Sequence, residues 1–78
     1  MPTLKRFGNC AVVIRSREHQ PPHFHIIFRD QRECVVLLPS LELFSGDPVR
    51  ATEVAMVMKW AASKKEWLMS KWKEITKK

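Results

Sequence analysis

Residues 23–29 alternate without a break. Phe24, Ile26 and Phe28 fall on one side of an extended chain, and His23, His25, Ile27 and Arg29 fall on the other. A second apolar run, Glu33 to Leu38, follows after Asp30-Gln31-Arg32. Two such runs this close together call for an antiparallel hairpin, and the period of two restricts its register. A three-residue loop pairs Phe28 with Cys34, Ile26 with Val36 and Phe24 with Leu38. On the other side it pairs Arg29 with Glu33 and His25 with Leu37. The first face becomes wholly apolar and the second gains a cross-strand ion pair. A two-residue loop sets Phe28 against Glu33 and is disfavoured.

The hairpin extends in both directions. Upstream, residues 4–15 read as strand interrupted at Gly8-Asn9, a bulge or hairpin turn, with Cys10 to Arg15 β-branched and apolar. Residues 16–22 are polar and end in Pro21-Pro22, which predicts a loop that delivers an extended chain into the next strand. Downstream, Pro39-Ser40 reverses the chain. Leu41 and Leu43 then continue the apolar face, while Glu42 and Phe44 join the histidine side. Cys34 falls inside the apolar face and serves there as small hydrophobic filler, as does Cys10.

Ser45-Gly46-Asp47-Pro48 predicts a helix start, with Asp47 as N-cap and Pro48 in the first helical position. Val57, Trp60, Ala61, Leu68, Trp72 and Ile75 form an apolar stripe at helical spacing. Lys64 interrupts the stripe, and Ser63 and Glu66 have capping-box spacing, so the segment is one long or two short helices, with two preferred. The expected fold is α+β in a single domain over residues 1–78: a β-meander over about 4–44 and a helical segment over about 48–76 packed on one face. The meander has four antiparallel strands, or five if the N-terminal segment folds back.

A chain of 78 residues builds a small core, which favours oligomerisation or a partner. Its formal net charge of +6 is uneven: from Lys59 onward there are seven lysines and two glutamates. A basic helical segment suits RNA, DNA or an acidic protein, and it also complements a helix C-terminus. Met1 to Arg6 lacks the apolar core of a secretory signal, and no apolar run reaches membrane-spanning length. With two cysteines read as free thiols, the expected location is the reducing cytoplasm, with no membrane contact.

The motif His19-x-Pro21-Pro22-His23-x-His25 contains every histidine of the chain. Together with Met1-Pro2-Thr3, Val13-Ile14-Arg15, Leu41-Glu42-Leu43, Gly46-Asp47 and the late Trp60 and Trp72, it resembles the bacterial domain of unknown function 4160 family over nearly the whole chain. The resemblance implies a small cytoplasmic protein, encoded beside a second small protein, in a pair of toxin–antitoxin type. It supplies no catalytic residues to carry over. The lysine-rich tail departs from the acidic tail of many relatives.

Three readings of the histidines follow. The leading one is adhesive: a half-apolar face formed by His19, Pro21, Pro22, Ile27, Leu37 and Phe44 binds another protein, with Trp67, Lys64 and Lys71 as further contacts. The partner is a neighbouring gene's product or a second copy. The second is a small metal-independent ribonuclease, with His23 and His25 as acid and base and Arg29 stabilising phosphorane charge. The third is a metal site, zinc above all, held by His19, His23 and His25.

Overall fold

A computed structural model describes residues 3–16 and 20–76. The chain runs β1 (Thr3–Arg6), β2 (Cys10–Val13), β3 (His23–Phe28), β4 (Glu33–Leu37), β5 (Leu43–Gly46), α1 (Ala51–Ala62) and α2 (Lys65–Thr76). The strands lie in sequence order in one sheet, every neighbouring pair antiparallel. The architecture is therefore α+β, with the N-terminal segment folded back to supply the fifth strand.

The alternation places the core as expected. Val12, Phe24, Ile26 and Val36 are fully buried, and with Val54, Val57, Ala61, Leu68 and Trp72 of the helices they form one cluster. Each aliphatic side chain taken from water there contributes about 1.5–3 kcal/mol. Cys10 and Cys34 are free and buried in the same cluster. Burial pushes the Cys34 thiol up to about 11, so it stays protonated at neutral pH and packs as filler.

The β3–β4 register differs from the expected one by two residues. Ile26 lies opposite Cys34, Phe24 opposite Val36, His25 opposite Val35 and Ile27 opposite Glu33. The loop is Arg29-Asp30-Gln31. The Gln31 N–H donates to the Phe28 carbonyl at 3.1 Å, and the Phe28 N–H donates to the Arg32 carbonyl at 2.8 Å. Gln31 takes φ 80, the left-handed residue that ends a three-residue hairpin loop. Because the slip is two residues, both faces keep their side chains, but every cross-strand partner changes. Arg29 and Glu33 no longer meet. Arg32 is released to tie the hairpin to α1: its guanidinium donates to both Glu53 oxygens at 3.0 and 2.5 Å, and to the Pro48 carbonyl at 3.1 Å.

The strand β5 and the helix start also differ from expectation. Asp47 does not cap a helix. Its N–H donates to the Glu33 carbonyl at 2.9 Å and its carboxylate accepts the Glu33 N–H at 2.9 Å, prolonging the β4–β5 ladder. Helix α1 begins after Arg50, and Pro48 lies before it. The Glu53 carboxylate accepts the Arg50 N–H at 2.8 Å, half of a capping box, since Arg50 has no acceptor with which to reciprocate. A register shift at Val35/Val36 puts Leu43 beside Val36 at the sheet's edge, where it is 47% exposed rather than part of the core face. Leu41, at φ 62, packs against the core instead.

The helical segment is two helices. Ser63 closes α1 by donating its hydroxyl to the Trp60 carbonyl at 2.8 Å, and so does not form a capping box with Glu66. Val57, Ala61, Leu68 and Trp72 are buried, while Trp60 and Ile75 pack partly buried on the cluster.

Gly46 is where backbone geometry admits one residue type. Its φ is +120, and a Cβ there would stand 2.5 Å from the Cys34 Cα and from the Glu33 carbonyl oxygen. Gly46→Ala is expected to destabilise the fold by about 2–3 kcal/mol in urea unfolding. Gly8→Ala, with nothing within 4 Å of its added methyl, should stay within about 0.5 kcal/mol of wild type. Equal effects of the two substitutions would refute this description of the β4–β5 ladder.

Candidate functional site

The face of the sheet away from the helices carries a cluster built from three strands. His25 lies in mid-β3 between Val13 of β2 and Val35 of β4. Arg15 follows β2, and the corrected hairpin register brings Glu33, at the start of β4, to the same place. Arg15 and Glu33 form a bidentate pair, Nη1 to Oε2 at 2.7 Å and Nη2 to Oε1 at 3.1 Å. The His25 Nδ1 lies 2.7 Å from the same Oε2, and Arg15 Nη1 lies 3.1 Å from Nδ1 and 3.4 Å from Nε2. His25 is only 7% exposed. The short bond to a carboxylate places a proton on Nδ1.

Hydrogen bonding from Arg15, assisted by the charges of Arg15 and His25, holds the Glu33 carboxyl below its ordinary value against the opposing effect of burial. The cluster is thus a polar clasp in an otherwise half-apolar face. It satisfies the buried imidazole and fastens β2, β3 and β4 to one another.

His23 lies beside His25, on the side that alternation implies. Its Nδ1–H donates to the Pro21 carbonyl at 2.7 Å. Its ring sits 4.9 Å from the Trp72 ring and 5.2 Å from His25, centroid to centroid. As the first residue of β3 it stands at the end of the sheet, where α2 can reach it. The two histidines are neighbours, but each has a ring nitrogen committed to the protein. Arg29 is not with them. It is exposed past the other end of β3, and its Nη1 donates to the Gly8 carbonyl at 3.4 Å. The guanidinium beside the histidines is Arg15. A glycine or asparagine at position 31 would have signalled the register that places Glu33 here; glutamine gives no such sign.

His19 lies outside the described residues, and with it the third ligand of the expected metal site. Among the described residues no three His, Cys, Asp or Glu side chains are grouped to hold a metal ion. The expected contact residues separate into two surfaces. Pro21, Pro22, Ile27, Leu37 and Phe44 belong to the sheet and its loops, with Phe44 65% exposed. Trp67, Lys64 and Lys71 belong to the helical layer, where Trp67 packs edge-on against Trp60 and Lys71 Nζ lies 5.6 Å over its ring. No helix is long and apolar enough to cross a membrane among the described residues.

The clasp predicts an acid dependence. A carboxyl whose folded-state pKa lies below its unfolded value of 4.5 stabilises the fold above that value, and the contribution fades as pH falls through the lowered one. Glu53, which hydrogen bonds from Arg32 bring down to about 2, acts in the same sense between 4.5 and about 2. Urea midpoints measured between about pH 6 and pH 3 should therefore fall more steeply for wild type than for Glu33→Gln. Parallel curves would show that the clasp contributes nothing.

No curated protein and no solved structure matches the chain. A family model does match, over residues 11–73, a span that contains most of β2, all of β3 to β5 and α1, and most of α2, and its description is Domain of unknown function (DUF4160). The span includes the histidine motif, the Arg15–Glu33–His25 clasp and the helices that cover the core, and the chain belongs to the DUF4160 family.

Proposed function

We propose that this protein acts by binding a small protein partner, as one component of a two-gene bacterial module of toxin–antitoxin type, and that strand β5 is the principal contact. The supporting observation is a pair of consecutive large apolar residues, Leu43 and Phe44, 47% and 65% exposed on the last strand of the sheet. A solitary exposed apolar residue is ordinary, but two together on a sheet edge with free backbone groups form a template for an added strand. The half-buried Ile27, Val35 and Leu37 of the neighbouring open face would continue the contact. The buried state of His25 favours this reading over chemistry, since an imidazole 7% exposed and held by Glu33 offers little to a substrate.

Co-expression with the protein encoded beside it is the direct test. A stable complex is expected, and Phe44→Glu should weaken it at least about tenfold while leaving the melting temperature unchanged, because Phe44 is exposed. Loss of self-association in place of loss of a heterologous complex would make the partner a second copy. Absence of any complex would remove the proposal.

A second reading has one observation in its favour. The Glu33–His25 pair is the carboxylate-oriented imidazole that general-base catalysis uses, with His23 next to it. On this reading RNA is cleaved by wild type and not by the His23→Ala plus His25→Ala variant. The adhesive reading expects no cleavage by either protein.

A further inference from the structure

Arg6 ends β1 and Arg29 follows β3, and both side chains are exposed. Register sets Arg6 beside Ala11, and Ala11 beside Ile27. The two arginines therefore flank a short aliphatic floor on the open face of the sheet. Strand spacing across and rise along the sheet put their Cα atoms roughly 12 Å apart, so two extended guanidinium side chains can close on one group between them. The cleft they border has a volume of about 530 Å³, with Phe7 and Phe28 also in its wall.

No carboxylate lines this cleft. Among the described residues, the other two arginines of the sheet region are engaged: Arg15 with Glu33, and Arg32 with Asp30 and Glu53. Arg6 forms no ion pair among the described residues, and neither does Arg29, whose guanidinium makes one long bond to the Gly8 carbonyl. That bond sets the Arg29 guanidinium against the β1–β2 turn, and Arg6 and Arg29 border the same cleft. Two uncompensated cations over an apolar floor are complementary to an anion carried by an apolar segment.

The aromatic rings in the wall decide which kind of anion. Phe7 packs edge-on against Trp60, with Lys5 Nζ over its ring at 5.8 Å. Phe28 is buried and covered by the Arg32 guanidinium at 4.8 Å. Neither ring is open for a base to stack on, and the floor is aliphatic. Single-stranded nucleic acid depends on such stacking platforms, whereas a protein carboxylate needs only the forked donors.

We infer that the Arg6–Arg29 cleft is a carboxylate-binding site for an acidic segment of a protein partner, with Ala11 and Ile27 receiving the apolar residue beside the acid. The inference rests on the protein-binding reading above and names the chemistry of that partner.

An NMR titration of the ¹⁵N-labelled protein tests it. The probes are the peptide acetyl-Leu-Glu-Leu-Glu-amide, its counterpart with glutamine for glutamate, and an oligouridine of equal charge. The glutamate peptide should shift the Arg6 and Arg29 side-chain Nε–H signals and the Ala11 and Ile27 amides, and the glutamine peptide should not. Arg6→Gln with Arg29→Gln should weaken the glutamate peptide about tenfold, with the melting curve unchanged. Equal shifts from both peptides, no shifts from either, or shifts at these residues from oligouridine alone would overturn the inference. The co-expressed complex separates the two claims. If the double arginine variant keeps the neighbouring protein at wild-type affinity while Phe44→Glu loses it, the cleft assignment fails and the proposed function stands. If the glutamate peptide fills the cleft but no complex forms, the reverse holds.

Discussion

The left-handed backbone of Gln31 governs the open face of this protein. By ending a three-residue loop one position earlier than composition implies, it shifts β4 by two residues against β3. The core does not register the change, because a two-residue slip returns every apolar side chain to the same face. The polar residues do. Glu33 moves from Arg29 to a position between Arg15 and His25, and Arg32 leaves the turn to grip Glu53 on α1. The two contacts that fasten the hairpin laterally and to the helical layer both depend on that one turn.

This explains why the histidine stretch looks reactive in sequence and structural in three dimensions. His25 is buried and satisfied by a carboxylate that Arg15 holds in place, and His23 is fixed by the Pro21 carbonyl and lies tilted against Trp72. The prolines and histidines join the loop to the sheet and the sheet to α2. The outward residues of the sheet include Leu43 and Phe44 on β5, and Arg6 and Arg29 about the β1–β2 turn. Those are contact features. These are the features on which the proposed protein-binding function rests.

Much of the architecture was legible in the chain. Alternation in residues 23–29, the β-branched run after Gly8-Asn9, and the stripe Val57, Ala61, Leu68 and Trp72 each carry their own period, and each buried the face it implied. The signals that misled were single residues with two uses. Asp47 before Pro48 has the look of a helix cap, yet its carboxylate and N–H both bond the Glu33 backbone, because Gly46 lets the two strands approach closely enough. Leu43 has the right parity for the core, yet lies on the edge strand of the sheet and is 47% exposed. The cluster around His25 was legible only in part. Arg15 could be placed near the histidines from the β2–β3 arrangement, but Glu33 depended on a turn conformation that glutamine does not announce.

The account stands on β5 and the open face being where another protein docks. Hydrogen–deuterium exchange with and without the proposed partner, the product of a neighbouring gene, measures that most directly. The amides of Leu43 to Gly46 should gain protection in the complex, with smaller gains at Ala11 and Ile27, while α1 and α2 exchange as in the free protein. Protection confined to the helices, with β5 unchanged, would contradict it.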